Sequence, residues 1–305
     1  MLVSFPISGV ETYLWLPPLV AFVVSFVASM AGVSGAFLLL PFQMSVLGFT
    51  SPAVSPTNLV FNVVGIPAGV WRYIREGRMV WPLAITILVA SLPGVVVGGL
   101  LRLSLLPDPQ TFKLFVACVL LYIGARLAWD GWRSKARTVS PTPPSAPELA
   151  DWTVHVEHMS PRVLRFRFRG EAHTCSPMII AGLCILVGTV GGAYGVGGGA
   201  LLAPILIGVM RLPVHAVAGA TLLSTFATSL CGVLFYQVVA PWYAGQGAGV
   251  APDWLLGGLL GLGGLVGIYL GARVQRFVPA RWLKLVLSAL ILYVASSYTI
   301  GFFHP

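Results

Sequence analysis

The chain has 305 residues, of which only 9% are charged, against roughly 25% in soluble domains, while 57% are hydrophobic and the mean hydropathy is +0.90. A water-soluble fold is excluded: twelve of the 27 charges fall between Asp130 and Glu171, leaving too few elsewhere to solvate a globular surface. The net charge of +9 does not point to nucleic acid, because Lys and Arg mostly adjoin apolar runs, where membrane orientation accounts for them.

Residues 1–10 carry no charge and lack the basic start of a secretory signal, so the first apolar run reads as a retained span. Apolar windows then fall at about 13–31, 33–49, 53–73, 80–101 and 111–130 and, after a polar insert, at about 177–194, 197–211, 214–236, 253–273 and 281–301. The windows at 33–49 and 197–211 are short and contain Pro41 and Pro204, which predicts discontinuous or re-entrant helices. The expected fold is an all-α polytopic membrane protein of about ten transmembrane windows with a small β-hairpin insert. Its domains are a first membrane repeat, 1–130, a cytoplasmic polar segment, 131–175, and a second repeat, 176–305.

In the third window Asn58, Asn62, Gly65, Gly69 and Tyr73 recur at helical steps and so share one face. Such a stripe either ties helices together by hydrogen bonds or lines a substrate cavity. Arg72, beside its basic end, either attracts an anion at the cytoplasmic mouth or snorkels to lipid headgroups. The insert opens with Arg133, Lys135 and Arg137 and a Pro-rich linker over 138–147. It continues into an alternating strand with Leu164, Phe166 and Phe168 on one face and Arg165, Arg167 and Arg169 on the other, and Trp152 to Glu157 is the expected partner strand. His155, His158, His173 and Cys175 match no zinc spacing, so no metal is expected. The four cysteines have no paired spacing and imply no disulfide framework.

The run Gly195 to Gly199 lacks a following Gly-Lys-Ser/Thr and fails the dinucleotide spacing, so no nucleotide and no other cofactor is implied. It serves either close helix packing or an interrupted helix whose amides and positive end face an anion. His215, heading the eighth window, is either a proton acceptor or interfacial packing.

A shift of 163 residues places Gly32-Val33-Ser34-Gly35-Ala36 on Gly195-Val196-Gly197-Gly198-Gly199, and Leu38-Leu39-Leu40-Pro41 on Leu201-Leu202-Ala203-Pro204. The same shift pairs Asn58, Asn62, Gly65, Gly69 and Tyr73 with Thr221, Thr225, Thr228, Gly232 and Tyr236. After a ten-residue insertion, Trp81, Gly94 and Gly98 fall on Trp254, Gly267 and Gly271. The chain is therefore read as two copies of one five-window unit. Arg72, Arg75 and Arg78 follow the third window, whereas the matching connection at 237–252 carries no charge, so the positive-inside rule puts them on opposite sides. That makes an inverted repeat with both termini outside.

All nine carboxylates lie in loops or at window ends, which disfavours a cation pathway and favours a neutral, donor-rich anion site. No catalytic constellation is present, so an enzyme is not expected.

The duplicated Gly-rich stretch, the Leu-Leu-x-Pro continuation and the following Ala-Val window, seen in Gly195 to Pro204 and Ala216-Val217, resemble the TauE/SafE family of sulfite exporters and related permeases. The first copy departs from the pattern at Ser34 and Ala36. The resemblance implies transport of sulfite, sulfonates or other small sulfur anions across a bacterial cytoplasmic membrane. With it, the candidate substrate site comprises Ser34, Gly35, Asn58, Asn62, Arg72, Tyr73, Gly197, Gly198, Gly199, Thr221, Ser224, Thr225 and Tyr236. The expected partners are a small inorganic or organic sulfur anion and the lipid bilayer, with a homodimer as an admissible assembly. A passive anion channel using the same lining, and a membrane anchor or assembly protein acting through 131–175, remain alternatives.

Overall fold

The computed structural model describes residues 2–133 except 32 and 78, and 155–303 except 161, 169, 170, 209, 211, 213, 244–248 and 275–279. The Pro-rich linker, Trp152, Arg169 and the side chain of His215 lie outside the described residues. A short antiparallel hairpin, β1 (Leu2–Phe5) and β2 (Val10–Tyr13), precedes the helices and turns at Gly9, whose φ of 68° favours glycine. The helices are α1 (Leu16–Ala31), α2 (Ala36–Ser45), α3 (Val54–Gly65), α4 (Pro67–Arg75), α5 (Trp81–Ser104), α6 (Pro109–Arg133), α7 (Pro177–Tyr194), α8 (Gly198–Gly208), α9 (Val214–Tyr243), α10 (Trp254–Val274) and α11 (Ala280–Phe303).

Six of these, α5, α6, α7, α9, α10 and α11, are long and apolar enough to cross a membrane, where ten spanning windows are expected from the sequence. Of the four windows that fall short, the first forms the 16-residue α1, and the other three have local causes. With 10 and 11 residues, α2 and α8 are about 15 and 17 Å long, half of a ~30 Å hydrocarbon layer. Each begins where a glycine-containing turn interrupts the chain, and neither breaks at its internal proline. The third window divides into α3 and α4 at Ile66, because Pro67 has no N–H to continue the ladder and suits only a first helical turn. Its counterpart in the second copy, Leu230, imposes no break, and α9 runs for 30 residues. The stripe from Asn58 to Tyr73 is therefore spread over two helices, not aligned on one.

The turns before α2 and α8 are built alike. Val33 N–H donates to the Ala28 carbonyl at 3.0 Å, and its counterpart 163 residues on, Val196 N–H, donates to the Gly191 carbonyl at 2.9 Å. In the second turn Gly195 and Gly197 take φ of 88° and 81°, left-handed values that an L side chain would strain.

The chain forms two compact units. One contains β1, β2, α1, α2, α3, α6, α10, α11 and the C-terminal turns of α5 and α9. Here α10 presents a row of glycines on which α1 and α3 lie: a Cβ at Gly257 would stand 2.7 Å from Val60 Cβ, one at Gly261 2.5 Å from Val64 Cβ, and one at Gly267 3.1 Å from the Phe26 amide nitrogen. Lipid tails are as apolar as Leu, so close backbone approach of this kind, not exclusion of water, is what holds membrane helices together. The other unit contains α4, most of α5 and α9, the insert sheet, α7 and α8. In it Gly94 and Gly98 of α5 lie on α7, where added Cβ atoms would come within 3.0 Å of the Thr189 amide nitrogen and 2.7 Å of that of Ala193. Gly94 and Gly98 on α5 and Gly267 and Gly271 on α10, aligned in the sequence, thus do like work: they seat α5 on α7 and α10 on α1.

The insert forms three strands, β3 (His155–Met159), β4 (Leu164–Phe168) and β5 (Glu171–Cys175), not a two-stranded hairpin. Leu164 and Phe166 are buried and Arg165 and Arg167 exposed, as the alternation requires, and Arg167 pairs with Glu157 at 2.8 Å. Trp15, Trp81, Trp132, Trp242, Trp254 and Trp282 are exposed at helix ends, where amphipathic rings meet lipid headgroups.

Candidate functional site

In the first unit, the site residues gather where α3 crosses the start of α2. Gly35 is packed so closely on α1 that a Cβ there would lie 2.7 Å from Ser25 Oγ. Ser34 Oγ accepts from the Ala36 amide at 3.3 Å. Asn58, wholly buried on α3, donates from Nδ2 to the Ala36 carbonyl at 3.1 Å and accepts at Oδ1 from Gln43 Nε2 at 3.2 Å. Gln43 Nε2 also donates to the Leu39 carbonyl at 3.3 Å, while its Oε1 is buried without a hydrogen-bond partner among the described residues. Asn62 follows one turn later on the same face and is fully buried, and Tyr236 is buried as well.

In the second unit, the glycine run meets the hydroxyl stripe of α9. The Gly198 amide donates to Thr228 Oγ1 at 3.1 Å. A Cβ on Gly197 would stand 2.8 Å from Ser229 Oγ, and one on Gly199 2.7 Å from Thr225 Oγ1 and close against the Thr221 carbonyl. Close packing is therefore part of what these glycines do. Thr221, Thr225 and Thr228 spend their single protons on backbone carbonyls of α9, at 3.0, 2.7 and 2.6 Å, so their oxygens face the glycine turn chiefly as acceptors. Ser224 Oγ differs: it is buried and has no partner among the described residues, which leaves a donor available. Tyr73 packs its ring on Gly219, while Arg72 is exposed on α4 and paired with Glu76 at 2.9 Å.

The two clusters share a contact that the repeat register makes equivalent. Asn58 bonds Ala36, and 163 residues on, Thr221 lies against Gly199. Gln43 is a component that sequence reasoning missed, although a lone amide in the apolar run from Ala36 to Met44 is a signal that could have found it. No group of three or more metal-ligating side chains occurs among the described residues.

Apolar helices of spanning length, interfacial tryptophans and polar clusters built on broken helices define a helical, multi-pass membrane protein. The family described as sulfite exporter TauE/SafE matches residues 18–298, and the chain belongs to it, a membrane transporter of the sulfite exporter type. A probable membrane transporter protein, y4hK, of Sinorhizobium fredii is 23% identical over 271 residues, covering 89% of this chain and 92% of that one. A probable membrane transporter protein of Xylella fastidiosa is 25% identical over 276 residues, covering 89% and 90%. No solved structure matches.

Proposed function

We propose that the protein is a secondary carrier for a small sulfur-containing oxyanion, such as sulfite or an organosulfonate, in a bacterial cytoplasmic membrane. It works by alternating access between two inverted five-window repeats. The observation that carries this reading is the pair of interrupted helices, α2 and α8, whose N-terminal turns are each met by polar side chains of the copy's third window. Helix starts concentrate unpaired amides and a partial positive charge, so they suit an anion stripped of water, and no carboxylate lies in the middle of a spanning helix to repel it. Each unit offers its own polar groups to an oxyanion: Asn58, Asn62 and the turn at Gly35 in one, and Ser224 with the start of α8 in the other, where Thr221 and Thr225 set the width of the turn. The glycines leave backbone against backbone, contacts that can slide as access alternates.

Sulfite flux in proteoliposomes tests the site. Gly198→Leu and Asn62→Leu are each expected to abolish flux while the protein stays monodisperse in detergent. Unchanged flux in both variants overturns the site assignment.

A further inference from the structure

Arg102, in the last turn of α5, has a wholly buried side chain. Nε donates to Ser55 Oγ at 3.4 Å, Nη1 donates to the Leu106 carbonyl, and the guanidinium carbon lies 3.7 Å from the centroid of the Phe112 ring. Among the described residues, buried Nη2 has no hydrogen-bond partner and no carboxylate pairs with the group. A cation held out of water is costly unless an opposite charge meets it, and an apolar side chain would pack here without that cost. The three contacts fix the guanidinium plane and engage Nε and Nη1, which leaves Nη2 as the nitrogen without an acceptor among the described residues.

Ser55, which accepts from Nε, joins the guanidinium to the polar face of α3. Ser55, Asn58 and Asn62 are spaced by three and four residues along α3, which places all three on one face, and all are fully buried. The charge therefore stands at one end of the polar face whose next members are the two asparagines.

We propose that Arg102 supplies the positive charge that binds the transported oxyanion, with the two N–H groups of Nη2 as donors and the Phe112 stack and Leu106 carbonyl as the clamp that presents them. The proposal rests on the anion-carrier reading above and deepens it, because it makes net negative charge, more than the shape of the sulfur group, the property selected first. A guanidinium fixed in this way prefers an oxyanion to a zwitterionic or neutral sulfur compound of the same size.

The test is sulfite binding to purified full-length protein, read as a shift in melting temperature over a concentration series, for wild type, Arg102→Gln, Arg102→Lys and Ser55→Ala. Wild type is expected to bind, Arg102→Gln to bind roughly thirtyfold more weakly or worse, and Arg102→Lys to recover part of the loss because it restores the charge without the fork. A merely structural arginine would not give that order. If wild type binds and Arg102→Gln binds equally well, the assignment of Arg102 falls and the carrier reading stands. If wild type binds neither sulfite, thiosulfate nor a short sulfonate, both fall. Should neither Arg102 variant fold, Ser55→Ala decides: weakened sulfite binding is expected, and wild-type binding overturns the proposal.

Discussion

Asn58 on α3 and Ala36 in the first turn of α2 are joined by a hydrogen bond of 3.1 Å, with Gln43 bonded to the same asparagine at 3.2 Å. Both partners are buried, so their loss is not made good by water. Asn58→Leu is expected to lower stability by about 2 kcal/mol, measured by denaturant unfolding in detergent. Asn58→Thr, which installs the residue type found at the equivalent Thr221, is expected to lose less, because a threonine hydroxyl can return its proton to its own helix. Equal losses in the two variants would contradict the equivalence of the clusters.

Glycines in the helices divide sharply by what surrounds them. A Cβ at Gly199 would stand 2.9 Å from the Thr225 amide nitrogen, a backbone atom unable to give way, whereas nothing lies within 4 Å of one at Gly258. Gly199→Ala is expected to destabilise by about 1–3 kcal/mol. Gly258→Ala is expected to be neutral or to stabilise by up to about 1 kcal/mol, since alanine is the better helix former. Melting temperatures of the two variants in the same detergent decide the matter.

Much of this arrangement is legible in the sequence, and the unread parts have physical causes. The glycine turns and the hydroxyl stripe of α9 announce themselves because they recur 163 residues apart. The break at Ile66 does not, since only one copy carries a proline there and the helical spacing of Asn58 to Tyr73 runs straight through it. Arg102 sits at a window edge, where cations ordinarily reach water; Phe112 and the Leu106 carbonyl, brought over it by the turn into α6, together with Ser55 on α3 put it inside. The strand β5 lacks apolar alternation and forms through its ladder with β4, so its composition did not announce it.

The insert sheet offers a pH test outside the spanning helices. Cys175 is buried at the β4 edge opposite Leu164, and burial pushes its thiol up to about 11 from an ordinary 9.0. The folded sheet thus binds this proton more tightly than the unfolded chain. Its contribution to stability is complete below pH 9 and is lost as pH rises from there through about 11. Hydrogen exchange of β4 and β5 is expected to accelerate over that range in wild type and less so in Cys175→Ala; identical profiles would contradict it.

Asp253 ties the start of α10 to two other segments. Its Oδ1 accepts from the Leu256 amide at 3.0 Å, its Oδ2 accepts from Ser8 Oγ at 2.8 Å, and its own amide donates to Thr57 Oγ1 at 2.9 Å. Asp253→Ala is expected to cost about 1.5–3 kcal/mol, and Asp253→Asn, which keeps an acceptor for the helix cap, markedly less. Unfolding in detergent checks both, and a fully stable alanine variant would contradict the capping role.

The measurement that bears most directly on the central claim is exchange of radiolabelled sulfite in proteoliposomes loaded with unlabelled sulfite or with buffer. A carrier that alternates between two faces is expected to show saturable uptake, faster when sulfite waits inside, and to lose it in the Asn62→Leu protein. Uptake no greater than in protein-free liposomes, or uptake indifferent to internal sulfite, would contradict the account.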